Sequence, residues 1–244
     1  QLRNANCNYI RTSHYPPDSY MLDLCDRYGI FVEDEAPVCW ESGKDSYERI
    51  SQIFYSFKSM VIRDRSHPCI LLWSLGNESE WKPKFYNSLL LAKELTPNIP
   101  VKFSHSETHG IIKATDIGAK HYPGWKGLMA FENYFRPIIF GEALHLNCYN
   151  TSENITDPGL RDMWGDYLKY FVDFIQESPS ITGLGIWGCT DEMYYPKGNR
   201  PCGYGPWGVV DGFRREKPEF WHMKMSYSPI IVTSKHFQSS NNET

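Results

Sequence analysis

Two glutamates, Glu78 and Glu142, occupy matching places in this 244-residue sequence, each just past a short apolar run. Glu78 ends Ile70-Leu-Leu-Trp-Ser-Leu-Gly-Asn-Glu78, and Glu142 ends Pro137-Ile-Ile-Phe-Gly-Glu142. An apolar run that stops at a polar group reads as a buried strand delivering a side chain to its rim. A carboxyl held there is half desolvated, which raises its pKa and suits a general acid. A solvated carboxylate at a helix start is the alternative for Glu78. Two carboxyls facing each other across a cleft suit cleavage of a glycosidic bond. At about 5 Å one is nucleophile and the other acid/base, whereas roughly 6.5–9.5 Å leaves room for an attacking water. Sequence sets no distance, so both geometries stay open.

The elements that must position this pair follow from the alternation of apolar runs and helical stretches. Strands are expected at 7–11, 30–34, 70–74, 101–104, 117–121, 138–141 and 183–187, and helices at 17–28, 46–64, 84–95, 125–133, 162–177 and 218–227. Strands alternating with helices imply a parallel sheet with right-handed crossovers. The expected fold is α/β, a (β/α)8 TIM barrel. Seven strands are counted where closure needs eight, so the first strand is expected to precede Gln1, and Gln1-Leu2-Arg3 reads as the end of a helix. The barrel is expected over 1–229, with 230–244 a tail or the start of a following domain. Ser13-His14, Glu35, Asn77-Glu78, His121-Tyr122, Glu142 and Trp187 all fall where these strands end. In such a barrel that is the face where chemistry sits.

Composition narrows the class. A net charge of −4 with no Lys/Arg cluster argues against a nucleic-acid partner. The longest apolar run, Ile70-Leu-Leu-Trp73, is too short to cross a bilayer, and no targeting signal is legible. Seven cysteines, an odd number without a CxxC pair, argue against a disulfide framework or a zinc site. Aromatic residues make up 15%, which suits stacking on sugar faces as well as a large aromatic core.

Several stretches carry a resemblance. They are Ile10-Arg-Thr-Ser-His-Tyr-Pro16, Leu24-Cys-Asp-Arg-Tyr-Gly-Ile30, Asp34-Glu-Ala36, Arg63-Asp-Arg-Ser-His-Pro68 and Trp73-Ser-Leu-Gly-Asn-Glu-Ser79. With the Glu142 and Trp187 strands they span nearly the whole chain. The sequence resembles the catalytic domain of family-two glycoside hydrolases, the group of β-galactosidases, β-glucuronidases and β-mannosidases. The resemblance implies a retaining double displacement with Glu142 as nucleophile and Glu78 as acid/base. It also implies that Asn77 bonds the sugar 2-hydroxyl and that His14 and His145 contact sugar. Arg11 and Tyr122 would support the nucleophile, and Trp187 would floor the sugar ring. Each has a plainer reading: a structural histidine, an arginine paired with a core carboxylate, or aromatic packing. Glu35 reads as support for Arg11, and Arg63, Asp64 and His67 as loop-fixing residues.

The resemblance implies no cofactor. Large bacterial members bind magnesium through a Glu and a His soon after Asp-Glu-Ala, and here Cys39 and Glu41 stand in that place. The cluster His105-Ser-Glu-Thr-His109 lacks zinc-helix spacing and reads as loop. The Asn-x-Lys of β-glucuronidases is met only in reverse, as Lys197-Gly-Asn199. β-Galactosidase is therefore favoured over β-glucuronidase or another β-glycosidase; an inactive barrel that binds carbohydrate or serves as an assembly piece is the reading from another class. The expected partners are a carbohydrate substrate and upstream sandwich and immunoglobulin-like domains. Self-association is left open, and no compartment is named.

Overall fold

The computed structural model describes residues 1–104, 113–145, 157–194 and 203–230. The strands are β1 (Tyr9–Arg11), β2 (Phe31–Glu35), β3 (Ile70–Ser74), β4 (Val101–Lys102), β5 (Gly118–His121), β6 (Ile138–Ala143) and β7 (Ile181–Ile186). Between them run helices α1 (Ser19–Tyr28), α2 (Tyr47–Asp64), α3 (Pro83–Leu95), α4 (Gly124–Ala130) and α5 (Pro158–Glu177); α6 (Pro218–Ser226) closes the described chain. β1 to β4 form one parallel sheet and β5 to β7 another, each in chain order. A bridge between Lys102 and Ile117 joins them. This is the α/β barrel arrangement expected. Among the described residues no ladder pairs β7 with β1. A cavity of about 490 Å3 opens between them, lined by Tyr9, Ile10, Thr182, Leu184, Trp187 and Val209.

Local chemistry explains where the helices begin and end. The Asp18 carboxylate accepts from Tyr20 N at the start of α1, and Gly29 ends that helix in the left-handed region at φ 65°. Ser46 caps α2 through Arg49 N, and Asp157 caps α5 through the amides of Gly159 and Leu160. Each such cap stabilises its helix by about 1 kcal/mol. Helix α2 buries Ile53, Phe57, Met60 and Val61 against the sheet, where they join Val32, Trp73 and Phe103 in the largest apolar cluster. Arg161 and Glu219 pair at 2.6 Å and tie α5 to α6. No helix among the described residues is long and apolar enough to cross a membrane.

The boundaries differ from expectation in instructive places. β6 runs through Ala143, so Glu142 lies within the strand, and β2 ends on Glu35 rather than one residue earlier. β4 is only two residues long, and α5 starts at Pro158, four residues early. Arg3–Ala5 is a single 3-10 turn. An unforeseen antiparallel hairpin pairs β8 (Glu192–Tyr194) with β9 (Gly203–Gly205). The His105–Glu107–His109 cluster, Cys148, Lys197, Asn199 and Cys202 lie outside the described residues. Cys7, Cys25 and Cys69 are buried free thiols.

Beneath β2, Asp34 and Asp64 are both fully buried. Burial first, then the hydrogen bond and charge of Asp64, pushes the Asp34 carboxyl up to about 8. Arg63 holds Asp64 with a 2.6 Å bond, so the proton resides on Asp34. A raised folded value means stability is fully present below the unfolded value near 3.8 and is lost as pH rises through the folded one. Wild type should therefore lose Tm relative to Asp34→Asn between about pH 4 and 8. Thermal melts across that range check it, and parallel curves would disprove it.

Candidate active site

Each expected site residue stands at the carboxyl ends of the strands or just past them. Arg11 ends β1 and His14 follows it. Asn77 and Glu78 follow β3, His121 ends β5, Tyr122 comes next, and Glu142 lies in β6 opposite His121. The ladder slips on both sides of this strand, between Lys120 and His121 and between Phe140 and Ala143. Such irregularities turn a side chain out of simple alternation, and here they flank Glu142. Trp40, Glu78, Tyr122 and Leu144 all adopt positive φ, at 53°, 37°, 44° and 55°. Non-glycine residues there cost on the order of 1–3 kcal/mol each and cluster at functional sites.

Glu142 is buried and held from two sides. Arg11 Nη1 donates to Oε1 at 2.8 Å, and the Tyr122 hydroxyl donates to Oε2 at 2.6 Å. Arg11 also donates to both oxygens of Glu35 at 2.8 and 2.9 Å and to Asn77 Oδ1 at 2.7 Å. A bond to Glu142 and the plainer pairing with a core carboxylate, Glu35, are thus both present in one guanidinium. Burial opposes the charge of Arg11, yet Glu35, Glu33 and Glu142 outweigh it and raise its pKa well above the ordinary value. Burial likewise pushes Glu35 up, but Arg11, the bond from His14 and Lys102 hold it below the usual carboxylate range.

A second, deeper set of charges lies below this one. Lys102 pairs with Glu33 at 2.6 Å, Arg11 reaches the same carboxylate at 3.1 Å, and the Tyr9 hydroxyl donates to it. Lys102 and Glu33 are fully buried. Three acidic residues in a five-residue central strand depart from the apolar run that a doubly buried strand ordinarily shows. They are tolerated because each faces a cation or a buried acid.

Glu78 corrects one expectation. Desolvation was expected to raise its pKa. Instead the hydrogen bond from His121, above all, overrides burial, and with the bond from Trp40 it lowers the carboxyl to about 2. His121 Nδ1 lies 3.0 Å from Glu78 Oε1, and Trp40 Nε1 donates to Oε2 at 2.9 Å. His121 Nδ1 is also 3.5 Å from Glu142 Oε1. One atom from each of Glu78, His121 and Glu142 lies within 4.8 Å of the others. His121 thus lies between the two carboxyls.

The remaining expected residues frame this pair. His14 Nδ1 bonds Glu35 at 2.9 Å, and its ring stacks on Trp187 at 5.3 Å and 16°. Asn77 is almost fully buried; its amide nitrogen approaches Cys39 Sγ at 3.4 Å and His14 Nε2 at 3.5 Å. His145 packs against Tyr122 and Trp207 at centroid distances of 6.2 and 5.3 Å. Burial lowers its pKa, against the pull of Glu142. Trp40 and His121 were not among the expected site residues. His121 had a signal, since it sits at a strand end beside Tyr122, but Trp40 had none beyond an exposed indole after Asp-Glu-Ala.

Metal-binding options are limited. Glu41 is taken by Lys84 at 2.8 Å and by Arg49 at 2.6 Å, so it is committed to ion pairs. At the opposite end of the barrel Asp26, His67 and Cys69 could offer nitrogen, oxygen and sulfur donors. Asp26 already accepts from His67 at 2.6 Å and from Cys69 N at 2.7 Å, which clamps the turn into β3. Burial, with help from Asp26, pushes the Cys69 thiol far up, which disfavours the thiolate a metal needs. Arg63 and His67 thus fix loops, as expected.

Comparison with known proteins fits this geometry. The model of the glycosyl hydrolases family 2 TIM barrel domain matches residues 1–177. A β-galactosidase of Vibrio vulnificus (strain YJ016) is 30% identical over 212 residues, which cover 78% of this chain and 19% of that protein. One from Pectobacterium atrosepticum is 29% identical over 228 residues, covering 84% and 20%. Among solved structures, a family 2 β-galacturonidase from Eisenbergiella tayi bound to galacturonate superposes with a TM-score of 0.76 at 22% identity, over 93% of this chain and 46% of that one. A β-glucuronidase of Faecalibacterium prausnitzii gives 0.72 at 22%, over 93% and 44%. The chain spans about a fifth of the length of the curated relatives it matches. These structural likenesses show the shared barrel fold; the family match over 1–177 goes further, and the chain belongs to glycosyl hydrolase family 2, within its TIM-barrel domain.

Proposed function

We propose that this barrel carries the active site of a retaining β-glycosidase, with Glu142 as nucleophile and Glu78 as acid/base. The observation that carries the reading is the convergence of both carboxyls on one imidazole, with His121 Nδ1 lying 3.0 Å from Glu78 Oε1 and 3.5 Å from Glu142 Oε1. Two carboxyls that share one donor in this way suit the close-set pair of a retaining enzyme, in which the second carboxylate is the nucleophile. Glu142, oriented by Arg11 and Tyr122, attacks the anomeric carbon as the glycosidic C–O bond breaks. Glu78 gives its proton to the departing oxygen. It then takes a proton from water, whose oxygen displaces Glu142 and releases the sugar. Trp187 floors the sugar, His14 and His145 contact its hydroxyls, and Asn77 bonds the 2-hydroxyl. Asn77 is also the link between Arg11 and Cys39, so a change there would disturb both faces. The chemistry calls for no cofactor.

A terminal β-galactoside is the favoured substrate, because the curated relatives near 30% identity bear the name β-galactosidase. A uronide is the second reading, favoured by the galacturonidase and glucuronidases of similar fold. The experiment is a panel of nitrophenyl β-glycosides. The galactoside should be turned over with the highest kcat/KM, and the galacturonide and glucuronide should lag well behind. A uronide preference would reverse the assignment, and no turnover of any member by the protein with its neighbouring domains would reject the catalytic reading. Sandwich and immunoglobulin-like domains alongside the barrel complete the proposal, since the matched relatives are about five times longer than their matched portion.

A further inference from the structure

We propose that His121 is a positioning residue, whose Nδ1–H tethers Glu78 beside Glu142 and favours the carboxylate form of Glu78 in the empty site. The inference rests on the acid/base reading for its kinetic consequence, but not for its geometry.

The ring is placed by the backbone around it. His121 sits opposite Glu142 where the β5–β6 ladder slips, and its ring is almost wholly buried. Gly141 makes the room. A Cβ there would lie 3.0 Å from His121 Nε2 and 2.8 Å from Lys102 Nζ. Nε2 is buried with no hydrogen-bond partner among the described residues and shares this pocket with an ammonium group. A proton on Nε2 would have no acceptor and would meet that positive charge. The ring is therefore neutral with its hydrogen on Nδ1, and that hydrogen points at Glu78 Oε1 at 3.0 Å, with Glu142 Oε1 at 3.5 Å. Burial lowers the imidazole pKa, against the opposing pull of the Glu78 bond and Glu142, and Arg11 and Lys102 lower it further.

A donor aimed at a carboxylate stabilises the charged form. Here it outweighs burial, and Trp40 adds a second donor. The other titratable or charged groups around the pair are Arg11 and His14 from β1 and its loop, Glu35 and Cys39 from β2 and its loop, Lys102 from β4, and Tyr122 and Glu142. At rest Glu78 is thus poised as the base of the second step. It becomes the acid of the first step only when a bound substrate displaces or weakens these donors. Replacing His121 with leucine removes the Nδ1–H, so the Glu78 pKa should rise.

The test uses 13C carboxyl NMR titration of the protein, assigned against Glu78→Gln, together with the pH profile of kcat/KM. His121→Leu should move the Glu78 titration upward by roughly one to two pH units, the worth of one hydrogen bond to a charged group. His121→Asn keeps an N–H near the Nδ1 position and should stay within about half a unit of wild type. His121→Ala repeats the deletion if the leucine variant does not fold. An unmoved titration in the deletion variant, or an equal shift in the asparagine variant, overturns the proposal. The basic limb of kcat/KM should move with the NMR value. If the NMR value moves while that limb stays fixed, the tether stands and the acid/base assignment of Glu78 is what fails.

Discussion

Glu142→Gln should abolish turnover, with kcat falling on the order of 10⁶-fold, the scale seen when a covalent nucleophile is removed. The amide is nearly isosteric and can still meet Arg11 Nη1 and the Tyr122 hydroxyl, which lie 2.8 and 2.6 Å from the carboxylate oxygens. Folding should therefore survive, and a thermal melt near wild type would show that the loss is chemical. The amide cannot form the glycosyl ester. A 2-fluoro glycoside with a good leaving group supplies the positive test. Its fluorine slows both steps, so the ester accumulates and peptide mass spectrometry should find it on Glu142. Label on another residue, such as the exposed Glu132, would remove Glu142 from its role.

The second large effect concerns Glu78→Ala, and its signature is selectivity. Acid help to the leaving group is worth about 10²–10⁴-fold, and that help matters least when the leaving group is already acidic. Hydrolysis of an alkyl β-glycoside should fall by this factor, whereas a dinitrophenyl glycoside should keep much of its first-step rate. The glycosyl-enzyme then waits for an unassisted water, and azide, which needs no base, should restore turnover and yield a glycosyl azide of retained configuration. Equal losses on all leaving groups with no azide effect would assign Glu78 a structural role. Trp40 bonds the same carboxylate at 2.9 Å, so its indole loses a partner in this variant. Comparison with Glu78→Gln, which retains an acceptor, separates that packing effect from the chemistry.

Much of this arrangement could be read from the chain, because strand existence depends on local patterning. Seven apolar runs give seven parallel strands, and the residues that end them converge on one face. Arg11, Glu35 and Glu142 meet as the motifs implied, with Tyr122 on the far side of the carboxylate. What escaped were properties set by contacts distant in sequence. The protonation of Glu78 depends on partners 38 and 43 residues away, Trp40 and His121, and no periodicity reveals an exposed tryptophan whose indole reaches that carboxylate. The Glu33–Lys102 pair was hidden for a similar reason: one lies in the acidic run of β2 and the other ends β4, and only the barrel brings them to 2.6 Å. The Glu192–Tyr194 strand lacks alternation and faces a strand with two glycines, so no apolar pattern marked the pair.

The side chains that meet at the strand ends also join the two sheets. On one side the two sheets share the Lys102–Ile117 bridge; on the other, the upper ties are Arg11 to Glu142, Arg11 to the Gly141 carbonyl at 3.4 Å, and the His14–Trp187 stack. At the base, the turn at Arg3–Ala5 docks on α6, with Asn6 donating to the Lys224 carbonyl at 2.8 Å. The residues of the candidate site thus tie the first sheet to the second. Arg11 and Glu142 are separated by 131 residues, so their pairing closes a long loop at an entropic cost. A variant that breaks the Arg11–Glu142 pair would therefore loosen the contact between the sheets as well as the orientation of the Glu142 carboxylate.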